Sequence, residues 1–98
     1  MTFIFDNDNL KDLYYKDKGG EAYPDGVVSA FFKKMQSIRN SSNENDLRAL
    51  KSNHFEKLQG EEKKYSVRLN QKYRLIFIIE KNDGCATIVI KEISNHYS

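Results

Sequence analysis

The chain has 98 residues, of which 39% are hydrophobic and 31% charged, and its sixteen Lys and Arg against fourteen Asp and Glu leave a net charge of +2. That length predicts one domain over residues 1–98, burying about 60–65% of the surface its unfolded form exposes. The composition excludes disordered, collagen-like and low-complexity classes, and no apolar run reaches the length of a membrane-spanning helix.

Met1-Thr2-Phe3-Ile4-Phe5-Asp6 lacks the basic stretch and long apolar run of a secretory signal, and Thr2–Phe5 is a short β-like run. Leu10, Leu13 and Tyr14 recur at i, i+3 and i+4, the stripe of a short amphipathic helix. An Asx residue within 6–9 can cap its free N–H groups, and Gly19-Gly20 is expected to stop it. The only proline, Pro24, suits the first position of a second helix, with Asp25 in its first turn and Lys33, Lys34 and Arg39 toward its end. Val27, Val28, Phe31, Phe32, Met35 and Ile38 form the apolar stripe of that helix, and Asn40-Ser41-Ser42-Asn43 ends it. A short third helix is predicted across Asn45–Leu50, anchored by Leu47 and Leu50.

From about Phe55 the period changes from 3.6 to 2. Tyr65, Val67 and Leu69 alternate with Ser66, Arg68 and Asn70. Tyr73–Glu80 is apolar on both faces in its middle, which predicts a central strand, and Asn82-Asp83-Gly84 is a hairpin turn leading into a last strand, Cys85–Ser94. The predicted class is α+β: an N-terminal strand and two to three helices packed on an antiparallel sheet that ends in a three-stranded meander. A single cysteine, Cys85, can neither close an internal disulfide nor build a zinc cluster, which fits a reducing cytoplasm.

Opposite residues of an antiparallel pair share a face, so register can be chosen by where apolar residues meet. A three-residue turn at Asn70-Gln71-Lys72 pairs Leu69 with Tyr73, Val67 with Leu75 and Tyr65 with Phe77, whereas a two-residue turn mixes the faces. The longer turn lacks the usual Gly, and an Asn in the left-handed region could substitute. Arg68 then lies opposite Arg74 on the other face, a like-charge pair that solvent or an anion must relieve. At the second hairpin a two-residue Asp83-Gly84 turn pairs Ile79 with Ile88 and Phe77 with Ile90, and brings Ile93 beside Arg74. Asn95, His96 and Tyr97 leave the sheet at the same edge, with Lys57 on the preceding segment. Ile76, Ile78, Val89 and Ile93 share the arginine face and need shelter.

Charge follows this geometry. Residues 1–50 hold seven basic and eight acidic side chains, whereas residues 51–74 hold seven and three, a local net of +4. A polyanionic partner is one reading and a solvated basic face the other. Two guanidiniums, an imidazole and a phenol suit RNA cleavage: the 2′-hydroxyl attacks the adjacent phosphate, one group takes its proton, another protonates the leaving oxygen, and arginines hold the developing charge. The strand arginines equally suit a surface ion-pair pattern with Glu80 or Glu92. His54 has no second His, Cys or carboxylate at metal-ligand spacing.

Phe55-Glu56-Lys57-Leu58-Gln59-Gly60, Tyr65–Phe77 with its Ser66-Val67-Arg68-Leu69-Asn70 and Tyr73-Arg74, and Glu92–Tyr97 together resemble the HigB branch of the RelE/ParE toxin superfamily, the plasmid maintenance system killer proteins of bacterial type II toxin–antitoxin modules. The resemblance implies a RelE-like, microbial-ribonuclease-like fold without a cofactor and ribosome-dependent cleavage of mRNA. It also implies inhibition by a HigA-like helix-turn-helix antitoxin, with DNA reached only through that complex and no membrane involved. Catalytic roles would fall on Arg74, His96, Tyr97 and Arg68, and contacts to RNA phosphates on Lys57, Lys72 and Asn95. Glu56 and Gln59 stand where relatives often carry His and Lys. Two other functions compete: a ParE-like toxin acting on DNA gyrase without cutting RNA, and an inactive toxin fold kept as an antitoxin-binding partner.

Overall fold

The computed structural model describes residues 1–43, 45, 46, 56, 57 and 64–95, with 56 and 57 described by their backbone alone. Its elements are β1 (Thr2–Phe5), α1 (Asp8–Lys16), a 3-10 turn (Gly20–Ala22), α2 (Val27–Asn40), β2 (Glu56–Lys57), β3 (Lys64–Arg68), β4 (Arg74–Asn82) and β5 (Cys85–Ser94). They build one five-stranded sheet in the order β1-β5-β4-β3-β2. The predicted meander is β3-β4-β5, but the sheet is mixed, because β1 runs parallel to β5 with Phe3 opposite Ile88 and Phe5 opposite Ile90.

Helix α1 begins on an Asx cap and α2 ends at Asn40, both as expected, whereas the end of α1 and the start of α2 differ from the glycine and proline signals. Asn7 caps α1, its side-chain oxygen accepting from the N–H groups of Asn9 and Leu10 at 3.0 and 3.1 Å. The helix stops at Lys16 because Asp17 turns left-handed (φ 53°), before Gly19-Gly20 is reached. Pro24 does not open α2. It starts a turn in which the Val27 N–H donates to the Pro24 carbonyl, Gly26 takes φ 90°, and Asp25 stays outside the helix. Only Arg39 of the three predicted cations lies in the last turn. Of the predicted third helix, Asn45 and Asp46 are helical, and Leu47–Leu50 lie outside the described residues.

Leu10 and Leu13 of α1 and Val27, Phe31, Met35 and Ile38 of α2 pack on one face of the sheet, against Tyr65, Val67, Leu69, Leu75, Phe77, Ile79, Ile88 and Ile90. The α2 residues are spaced four, four and three apart, one stripe of the helix, and none is more than 1% exposed. Each such side chain withdrawn from water stabilises the fold by about 1.5–3 kcal/mol. Tyr14 joins the helices at the rim, its ring stacked on Phe32 at 6.1 Å and edge-on to Phe31.

The first hairpin has the predicted register: Tyr65 opposite Phe77, Val67 opposite Leu75, and the Leu69 N–H bonded to the Tyr73 carbonyl at 2.9 Å. Its turn, however, uses no left-handed residue; positive φ outside glycine occurs, among the described residues, only at Asp17 and Asp83. The Asn70 side-chain oxygen accepts instead from the N–H groups of Lys72 and Tyr73 at 2.8 and 2.7 Å, so an Asx turn does the work of a glycine. In the second hairpin Asp83 (φ 51°) and Gly84 (φ 81°) form the two-residue turn, and Ile79 meets Ile88 and Phe77 meets Ile90.

Beyond Phe77 the register shifts by one. Ile76 lies opposite Glu92, Leu75 opposite Ile93 and Arg74 opposite Ser94, which makes Lys91 the extra residue of a β-bulge. Ile93 is therefore not beside Arg74, as an uninterrupted ladder would have it. It is turned to the helix side, packed against the core, and Ser94 takes its place. Part of the second face is buried as well: Ser66 and Ile76 have no exposure, Val89 5% and Ser94 4%, whereas Ile4 is 51% exposed.

Candidate functional site

A row of three residues crosses the end of the sheet. Arg74, at the start of the central strand, has Arg68 directly opposite on β3 and Ser94 directly opposite on β5. The alternation that sends Val67, Leu69 and Leu75 to the helices sends all three of these to the other face. Arg74 is only 8% exposed, and its guanidinium donates to the Ser66 hydroxyl at 3.5 Å. The sequence placed Arg74 on the face away from Val67 and Leu69, with solvent or an anion to relieve its pairing with Arg68. It is mostly withdrawn into the second face, because its neighbours there, Ser66, Ile76 and Ser94, are themselves buried. Arg68 is half-buried, Asn95 exposed, and Lys72 exposed on the Asx turn.

Two arginines directly opposite on neighbouring strands supply planar, permanently charged donors suited to an anion. Half-removed from water, they interact with such an anion more strongly than surface lysines would. On the helix side of the same sheet end, burial and then the neighbouring Tyr73 raise the Tyr23 phenol above its ordinary range, so it keeps its proton. Among the described residues no three His, Cys, Asp or Glu side chains gather in a way that could hold a metal ion.

Of the seven residues read from the sequence as functional, Arg68, Arg74 and Asn95 are brought to one end of the sheet, with Lys72 on the adjoining turn. Lys57 pairs with Tyr65, in the register of the core-facing row, and Glu56 with Ser66, in the register of the arginine row. His96 and Tyr97 lie outside the described residues, as does His54. Sequence reasoning missed Ser66 and Ser94. Ser66 was legible from its place two residues before Arg68 on one strand. Ser94 was not, since it reaches Arg74 only through the bulge.

Among the described residues no helix is long and apolar enough to cross a membrane. Residues 3–90 match the family model described as the RelE-like toxin of type II toxin–antitoxin system HigB. The chain is 36% identical over 78 residues to Toxin HigB-1 of Vibrio cholerae serotype O1, a match covering 79% of this chain and 82% of that one. The fold is similar to that of a YoeB/ParE toxin from Agrobacterium tumefaciens (TM-score 0.63, 11% identity, 99% of this chain and 100% of the other). It is likewise similar to a chain of the YoeB–YefM complex from Staphylococcus aureus (TM-score 0.61, 21% identity, 99% and 98%). With a family match spanning most of its length and a relative this similar, the chain belongs to the HigB-like toxins, the RelE-superfamily toxins of type II toxin–antitoxin systems.

Proposed function

We propose that this toxin is a metal-independent endoribonuclease that cuts mRNA on the ribosome and so stops translation. The observation that carries the reading is the row Arg68–Arg74–Ser94, which sets two arginines directly opposite each other on neighbouring strands at one end of the sheet. Such a pair offers planar, permanently charged donors to an anion that settles between its members. In the proposed reaction the 2′-hydroxyl attacks the neighbouring phosphate, Arg74 and Arg68 hold the charge that develops on the phosphorane, and His96 and Tyr97 exchange the protons. Arg74 is suited to this because its guanidinium is held in place within a largely dry setting before substrate arrives, so little reorganisation accompanies charge development. Asn95, Lys72 and Lys57 contact the RNA backbone, and no cofactor takes part.

The same reading takes the chain as one domain that acts in the cytoplasm, is neutralised by a HigA-like helix-turn-helix antitoxin, and touches DNA only through that complex. The experiment is translation in vitro with the 5′ ends of message fragments mapped. Wild-type protein should yield new ends within ribosome-bound message, and Arg74→Ala should lower their rate of appearance about a hundredfold or more. Stalled ribosomes carrying intact message would sink the proposal.

A further inference from the structure

We propose that Asn7, 67 residues away in sequence from Arg74, is a positioning residue for the arginine site and acts through the bulge at Lys91. The inference rests on the reading of that site as the place where RNA is cut. From the Asp83-Gly84 turn the ladder runs without interruption to Phe77 opposite Ile90, and continued unchanged it would set Ile93 across from Arg74. The extra residue, Lys91, exchanges the faces of everything after it: Ile93 goes to the core and Ser94 to the arginine row. From which face Asn95 departs is decided by that single insertion.

The bulge is held from outside its own hairpin. The corner between β1 and α1 meets it at three points: the Asp6 N–H donates to the Ile90 carbonyl at 2.9 Å, the Asn7 side-chain nitrogen donates to the Lys91 carbonyl at 3.0 Å, and the Lys91 ammonium pairs with the Asp6 carboxylate. The ion pair is mostly solvent-exposed on the Asp6 side and contributes little. The Asn7 amide is different, because its two ends do separate work. Its oxygen caps α1 through Asn9 and Leu10, while its nitrogen clamps the bulged carbonyl. An acceptor alone is enough for the cap, and Ser, Asp and Asn are all good at it. The amide supplies both from two separate atoms, whereas a carboxylate has no hydrogen to donate. Asn7 thus ties the start of the chain to the strand that delivers Ser94 and Asn95.

The test is Asn7→Asp, which keeps the cap and removes the clamp. Three quantities are compared with wild type: thermal melting, amide hydrogen exchange at Glu92, Ile93 and Ser94, and cleavage of ribosome-bound message. We expect a melting midpoint within a few degrees of wild type, faster exchange confined to those three amides, and a kcat lowered about ten- to a hundredfold at unchanged KM, the effect of a misplaced group rather than a lost binding contact. Wild-type kinetics in the variant would overturn the inference. So would a loss of activity that merely tracks a general loss of stability, because Asn7 would then be structural only. Failure of wild-type protein to cleave message would instead remove the reading of the site, and exchange would still decide the clamp: unchanged protection at Glu92–Ser94 refutes it.

Discussion

The turn at Asn70 offers the sharpest test of how the arginines are brought together. Its side-chain oxygen accepts two backbone hydrogen bonds, at 2.8 and 2.7 Å, in a three-residue turn without glycine or left-handed residues. A neutral hydrogen bond contributes about 0.5–1.5 kcal/mol net, and in Asn70→Ala the freed N–H groups partly regain water, so the loss should be about 1–2 kcal/mol. For a chain of this size that lowers the melting midpoint by about 4–16 °C. Urea unfolding should show the same loss as a lower midpoint at constant slope. Asn70→Asp keeps the acceptor and should fall within about 0.5 kcal/mol of wild type. Asn70→Gly is the discriminating variant. It should destabilise at least as much as Ala, because no residue here needs positive φ and glycine adds freedom to the unfolded chain. Wild-type stability in Asn70→Gly would show that backbone conformation, not the side-chain bonds, holds the turn.

Arg68→Thr should stabilise the fold by about 0.5 kcal/mol at low ionic strength by relieving the like-charge pair with Arg74, a gain that shrinks as salt is added, while cleavage of message falls; destabilisation would refute the repulsion. Tyr23→Phe should flatten stability on the alkaline side. The folded phenol holds its proton above the ordinary 10.0, so its contribution is complete below that pH and is lost as pH rises through the folded value, and denaturant midpoints from pH 8 to 11 in wild type and variant will show the difference. Phe31→Ala, at a position with no exposure in the middle of the α2 stripe, should cost about 3–5 kcal/mol by chemical denaturation, and a loss under 1 kcal/mol would mean that the helix does not pack as described.

The legible part of this fold is the part governed by alternation and turn chemistry. Tyr65, Val67 and Leu69 against Leu75 and Phe77 could take only one register that kept apolar residues together, and Arg68 and Arg74 followed as a pair. Asp83-Gly84 announced its own turn. What escaped is set by contacts far apart in sequence. Nothing around Lys91 marks a bulge, because the amide that holds it belongs to Asn7. The parallel pairing of β1 with β5 joins the two ends of the chain. Local punctuation also misled where two signals competed: Asp17 ended α1 ahead of the glycines, and Gly26 displaced Pro24 as the gateway to α2. The burial of Arg74 was illegible because it depends on what closes the sheet's second face, not on its own strand.

The place of β1 in the sheet has a consequence for how the toxin is born. Thr2 pairs with Thr87 and Phe5 with Ile90, so the strand made first waits for the strand made last. At elongation rates of 5–20 residues per second that wait is about 4–17 s, during which Phe3, Ile4 and Phe5 have no sheet to join. Ser94, the last member of the arginine row, is added later still. The arginine row is therefore incomplete until β5 has been made, and a partner that engaged the nascent N-terminal strand in those seconds would act before that row exists.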